Sequence, residues 1–188
     1  MGPGVGVGGG RVWVTLKTEP AQLVEIDPSS NKVVDSFEIP KDPEDVRFAL
    51  EAVWVTSDST NSITKMRPGN PPTQIPIGAT SDDMAVGAGK IWVTNRQDDA
   101  ITRIDLLQPS KHKRMRSGRR PEGVAADDRN VWVVNQDDNN VARFDAHSPY
   151  KLLERYPVGL QPNDVAVDEE GVAWVVNQGD NTLSRLEP

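Results

Sequence analysis

Five copies of one tryptophan-centred unit predict an all-β protein, a β-propeller of about five four-stranded blades. Three observations carry that expectation. All five tryptophans, Trp13, Trp54, Trp92, Trp132 and Trp174, sit in an apolar-Trp-Val motif, at steps of 41, 38, 40 and 42 residues. The segments around them alternate at the two-residue period of strands, and the 3.6-residue period that a helical solenoid needs is not found. Fifteen Gly and fifteen Pro, spread throughout, leave no long stretch free for a helix. A two-sheet sandwich would not place a tryptophan at one repeat position five times.

Each repeat reads as four short strands. The first follows a turn marked by Pro or Asp: Val5–Val7, Val46–Phe48, Met84–Val86, Val124–Ala126 and Val165–Val167. Small residues (Gly6, Ala85, Ala125, Ala166) hold the middle position in four of these, as a strand crowded on both faces requires; Arg47 breaks the pattern. The second strand, around Trp, is apolar on both alternating faces and so is expected to be buried on two sides. The third carries apolar-x-basic-apolar, as in Ile101-Thr-Arg-Ile104 and Val141-Ala-Arg-Phe144, with Glu25 replacing the base in the first copy. The fourth, in 32–39, 73–77, 111–116 and 151–158, is the most polar, and a polar edge discourages edge-to-edge pairing. Each indole is expected between neighbouring blades. Burying roughly 200 Å² of it contributes at most ~5 kcal/mol before entropy is subtracted.

The repeats run approximately 1–40, 41–79, 80–119, 120–160 and 161–188, a single propeller domain whose last blade lacks its outer strand. Either five blades close with a three-stranded member, or the chain is a segment of a larger ring, or two copies associate along open blade edges.

Composition narrows the partners. A formal net charge of -7 argues against nucleic acid or an anionic membrane. Without cysteine there is neither disulfide nor thiolate metal site, and the compartment stays open. No apolar run approaches the ~18 residues of a membrane span. The Gly-rich start lacks the basic and apolar regions of a signal peptide.

Trp92-Val-Thr-Asn95 resembles the Tyr-Val-Thr-Asn signature of YVTN-type β-propeller repeats, with Trp in place of Tyr. Trp132-Val-Val-Asn135 and Trp174-Val-Val-Asn177 are near copies, while Trp54-Val-Thr-Ser57 and Trp13-Val-Thr-Leu16 depart at the Asn. The turns Arg120-Pro-Glu-Gly-Val124 and Gln161-Pro-Asn-Asp-Val165 resemble the same family and the related NHL and virginiamycin B lyase-like propellers. The resemblance covers nearly the whole chain. It implies a binding or sensor platform, extracytoplasmic in bacteria and sometimes attached to kinases. The lyase branch uses a histidine and metal-binding acids on one face; here the only histidines, His112 and His147, fall in outer-strand or linking segments, so no catalytic residue is carried over.

Four constellations bear on chemistry. Gly4-x-Gly6-x-x-Gly9 has the form of a dinucleotide fingerprint, but it leads into a strand where that motif needs a helix. The loops Asn95/Asp98/Asp99, Asn135/Asp138/Asn139 and Asn177/Asp180/Asn181 could gather a calcium ion, yet they lack the Gly and closing Glu of an EF-hand, and Asn and Asp bond their own turns. Aligned first strands place Gly4, Asp45, Asp83, Gly123 and Asp164 at one position, with Pro3, Glu44, Asp82, Glu122 and Asn163 just before it. These residues are expected to ring one channel mouth, where converging carboxylates would attract a cation or basic group unless each caps its own turn. Finally, residues 111–120 hold six of the 21 basic side chains but no interleaved aromatics.

The resulting expectation is a non-catalytic binding, scaffold or sensor propeller without a bound cofactor, presenting an acidic mouth to a protein, peptide or small ligand. A divalent cation at that mouth is compatible with it. One alternative is a metal-dependent hydrolase or lyase using the same acids; another is polyanion binding through residues 111–120.

Overall fold

The computed structural model describes residues 4–67 and 69–188; Pro3 therefore lies outside the described residues. The strands fall into two compact units, Met1–Asp82 and Asp83–Pro188.

The first unit holds two antiparallel sheets, each a simple meander. Blade 1 is β1 (Val5–Gly8), β2 (Arg11–Leu16), β3 (Gln22–Asp27) and β4 (Lys32–Glu38). Blade 2 is β5 (Pro43–Ala49), β6 (Ala52–Ser57), β7 (Ser62–Met66) and β8 (Thr73–Pro76). Blade 1 lays Trp13 and Leu23 on Val46, Val53 and Val55 of blade 2, with Phe48 at the margin.

In the second unit, blade 3 consists of β9 (Ser81–Gly87, which begins two residues before the unit), β10 (Lys90–Asn95), β11 (Ala100–Asp105) and β12 (His112–Arg116). Blade 4 has β13 (Pro121–Ala126), β14 (Asn130–Asn135), β15 (Asn140–Asp145) and β16 (Leu152–Pro157). Blade 5 stops at three strands, β17 (Pro162–Val167), β18 (Ala173–Asn177) and β19 (Thr182–Leu186). Trp92 and Ile101 of blade 3 meet Val124, Val131 and Val133 of blade 4. Trp132 and Val141 of blade 4 meet Val165, Ala173 and Val175 of blade 5.

One packing rule thus recurs three times. The Trp of the second strand and, on the third, the apolar residue two places before the one paired with Trp cover the first and second strands of the following blade. The outer strands β4, β12 and β16 are almost wholly exposed, as their polar composition requires. Five sheets, the last without an outer strand, agree with the count of repeats. One tryptophan departs from expectation: Trp13, Trp54, Trp92 and Trp132 are buried, but Trp174 is 38% exposed, because no strand among the described residues follows β19 to cover its face.

Candidate functional site

The predicted site residues sit where each first strand enters its sheet, and a β-bulge shapes that entry. The register between first and second strand slips between Pro43 and Val46, between Pro121 and Val124, and between Pro162 and Asp164. Such a slip leaves ladder groups unpaired and re-aims the side chains beside it. In blades 1 to 3 a threonine of the second strand accepts the main-chain N–H at this position. Gly4 N donates to Thr15 Oγ1 at 2.7 Å, Asp45 N to Thr56 Oγ1 at 3.0 Å and Asp83 N to Thr94 Oγ1 at 3.1 Å. These threonines were not singled out in the sequence, although Trp-Val-Thr in three repeats was the available signal.

The aspartates then cap the next residue. Asp45 Oδ1 accepts from Val46 N, Asp83 Oδ1 from Met84 N and Asp164 Oδ1 from Val165 N, each at 2.8 Å. Asp45 also pairs with Arg47 at 2.5 Å, which gives the irregular Arg47 its place. In blade 4, where glycine replaces the acid, Asp83 reaches forward: its Oδ2 accepts the N–H of Val124 at 2.8 Å. A Cβ on Gly123 would stand 2.8 Å from Asp164 Cα, so glycine there lets neighbouring strand entries touch.

The residues one place earlier differ in setting. Glu44 pairs with Lys17 at 2.7 Å. Asp82 is buried, and Asn163 is half-buried. Glu122, also buried, accepts from Arg120 Nε at 2.8 Å and lies 3.7 Å from Arg96. The second unit therefore brings Asp83, Glu122, Asn163 and Asp164 onto three successive strand entries; Glu44 and Asp45 share one entry in the first. Among the described residues, no three His, Asp or Glu side chains come close enough to share a metal ion.

The Asn/Asp loops after the tryptophan strands fasten the linkers between blades. Asp99 and Asn139, the last of their sets, and Asn61 in the corresponding loop of blade 2 have left-handed backbones and accept from the linker leading to the next blade: Asn61 from Thr80 N at 3.1 Å, Asp99 from Arg120 N at 3.0 Å, Asn139 from Gln161 N at 2.8 Å. Asp138 and Asp180 instead hold the incoming linker, through Arg119 N at 2.7 Å and Leu160 N at 2.9 Å. The Arg119 main-chain N–H, followed by its guanidinium, keeps the Asp138 carboxyl below the usual carboxylate range. The hydroxyl of Thr182, then the Leu160 N–H, does the same for Asp180. The Asn of the Trp-Val-x-Asn motif is fully buried in three blades and bonds across strands, as Asn135 does to Ser117 and Asn140.

The basic segment forms one wall of an open cleft of about 430 Å³ between blades 3 and 4, lined by Arg116, Arg119, Arg155, Asp99 and Asp138. Arg119 is committed to Asp138 at 2.6 Å, and Arg155 donates to the Ser117 carbonyl. Both histidines are exposed, His112 on β12 and His147 in the linker after β15.

No protein-family model matches the chain, and no curated protein sequence does. Solved structures match it well. Virginiamycin B lyase from Staphylococcus aureus aligns at a TM-score of 0.81 with 18% identity, covering 97% of this chain and 65% of the lyase. A protein of unknown function from Desulfotomaculum acetoxidans aligns at 0.77 with 20% identity, over 95% of this chain and 66% of its own. BamB from Moraxella catarrhalis aligns at 0.74 with 8% identity, over 97% and 57%. The chain thus spans about two thirds or less of the length of these three. At such identities the likeness speaks for the fold alone. The fold of this chain is that of the virginiamycin B lyase-like and BamB-like β-propellers, in agreement with its YVTN/NHL-type repeats.

Proposed function

We propose that the chain is a non-catalytic binding or scaffold propeller, of the sensor kind its repeats resemble, working outside the cytoplasm. Its strand-entry acids, Asp45, Asp83, Asp164, Glu44, Asp82 and Glu122 with Asn163, offer fixed negative charge to a basic group of a protein, peptide or small ligand. The observation behind this reading is that Asp45, Asp83 and Asp164 each accept main-chain N–H groups, while Glu44 and Glu122 face a lysine and arginines. Acids held this way present charge in a set geometry. A general acid or base needs an exchangeable proton and a partner within reach of the reacting atom. Calorimetric titration with a short lysine-rich peptide tests the proposal: heat is expected from the natural chain and its loss from the Asp45→Asn/Asp164→Asn double variant. Equal heat from both would overturn the acidic site. Turnover of an ester or lactone that depends on added calcium, magnesium or zinc would replace the reading with the enzymatic one.

A second reading has its own observation, the cleft that gathers Arg116, Arg119 and Arg155. If it takes polyanions, retention on heparin falls steeply with salt and drops in the Arg116→Ala variant. A flat salt response removes it.

A further inference from the structure

Blades 1 and 2, both in the first unit, share a partly open cavity of about 230 Å³. Its walls are apolar: Trp13, Leu23 and Phe37 from blade 1, Val53 and Met66 from blade 2. The exposed Glu38, Arg67 and Asn70 stand at its rim. The size is informative, because about 150 Å³ suffices for benzene and drug-sized ligands need about 300 Å³ or more. The volume suits a single ring with a small substituent.

Blades 3 and 4 show what such a space is shaped for. By strand register Trp13, Leu23 and Phe37 are the equivalents of Trp92, Ile101 and Met115. Val53 and Met66 are likewise the equivalents of Val131 and Phe144. In the second unit this set of side chains holds the ring of Tyr150, which meets Trp92 edge-on at 5.9 Å between centroids. Tyr150 comes from the loop between β15 and β16, where its backbone is left-handed at φ 59°. It lies four residues before Glu154, the partner of Arg143. In blade 2 the residue four before Thr73, the partner of Lys65, is Gly69, and its φ is 76°. Lys65 and Arg143 correspond, since each pairs with the tryptophan of its own blade. Glycine thus takes the tyrosine's position in the same backbone conformation, and a Cβ on Gly69 would meet nothing within 4 Å. The loop that fills the interface in one unit leaves the same place open in the other.

One element differs. Arg103, paired with Trp92, lies over the Tyr150 ring at 3.8 Å, whereas its equivalent in blade 1 is Glu25, held by Arg11 at 2.8 Å. No guanidinium stacks from that position, so the attraction left is that of Trp13, Phe37 and the Met66 sulfur for an aromatic ring. The rim offers one acid and one base, Glu38 and Arg67, which suits a group that both donates and accepts, as a neutral hydroxyl does.

We propose that the cavity between blades 1 and 2 binds a small neutral phenol, its ring in the place that Tyr150 fills between blades 3 and 4 and its hydroxyl at the rim. The site shares no residue with the strand-entry acids or the basic cleft, and it stands whatever those bind.

The probe is p-cresol, the tyrosine side chain cut at Cβ, offered to the natural 188-residue chain in equilibrium dialysis. One site per chain is expected. Methylcyclohexanol, alike in size but not aromatic, should bind roughly fivefold more weakly. Gly69→Tyr supplies the ring from the chain itself and should abolish binding. Gly69→Ala restricts the same backbone without adding a ring and should bind as the natural chain does. Near-UV circular dichroism and the thermal midpoint check that both variants fold. Absence of binding to the natural chain overturns the proposal. So does unchanged binding by Gly69→Tyr, equal loss in the two variants, or equal affinity for the cyclohexanol. A Gly-Gly-Tyr-Gly-Gly peptide that binds more tightly than p-cresol overturns the small-molecule assignment in favour of a tyrosine presented by a protein.

Discussion

Trp132 and Trp174 occupy nearly identical strands, Val-Trp-Val-Val-Asn and Ala-Trp-Val-Val-Asn, yet the first is shut off from solvent and the second is 38% exposed. Blade 5 supplies what Trp132 needs: Val165 from its first strand, Ala173 and Val175 from its second. Nothing equivalent lies over Trp174 among the described residues, and its indole N–H turns to Asp168 at 3.1 Å. A repeat sequence thus specifies a surface, and whether that surface becomes core depends on the neighbour placed against it. Apolar residues on a blade face stabilise only when the area is removed from water.

The sharpest way to break the comparison is to truncate both indoles. Trp132→Ala should lower the unfolding free energy by about 3–5 kcal/mol, since it opens a cavity between two blades. Trp174→Ala in the monomeric chain should cost only about 1 kcal/mol, as most of the area that a cavity would create is already wet. Urea titration of the two variants checks this, and equal losses would contradict the packing rule. Next in size is Gly123→Ala. Its Cβ would press on the Asp164 backbone, and rigid main chain on both sides should make the cost about 1–3 kcal/mol, visible as a lower thermal midpoint.

The capping acids come third. Asp83→Ala removes acceptors from both Met84 N and Val124 N and should cost about 1–2 kcal/mol, whereas Asp164→Ala, with one N–H partner among the described residues, should cost about half as much. Reversal of that order in denaturant unfolding would mean that Asp83 does not fasten blade 3 to blade 4. The smallest effect is one of pH. The carboxyl of Asp138 is lowered in the folded chain, so its stabilising contribution is complete above the ordinary aspartate range and is lost as pH falls through its depressed folded value. Asp138→Asn should flatten the acid limb of the stability profile below about pH 4 and leave the neutral region nearly parallel to that of the natural chain.

The strands were legible because each repeat carries its own turn residues and two-residue alternation, which are local properties. Five tryptophans at one register position further fixed how the blades would stack. The site was legible only in part. The alignment put Asp45, Asp83 and Asp164 at one position, but not what each would bond, because Thr56 and Thr94 lie eleven residues beyond Asp45 and Asp83 and the N–H of Val124 lies 41 residues beyond Asp83. The Asx loops read as self-contained turns from local spacing, whereas Asn61, Asp99 and Asn139 reach linkers about twenty residues on.

By itself, the sequence determined the all-β class, the five repeats with their strands and the residue types on every blade face, since these follow from short-range patterning repeated five times. Only the tertiary structure decided which apolar face is covered, which acid fastens a neighbouring blade and which indole remains in water. Those outcomes depend on groups far apart in the chain meeting within bonding distance, and no local pattern encodes that.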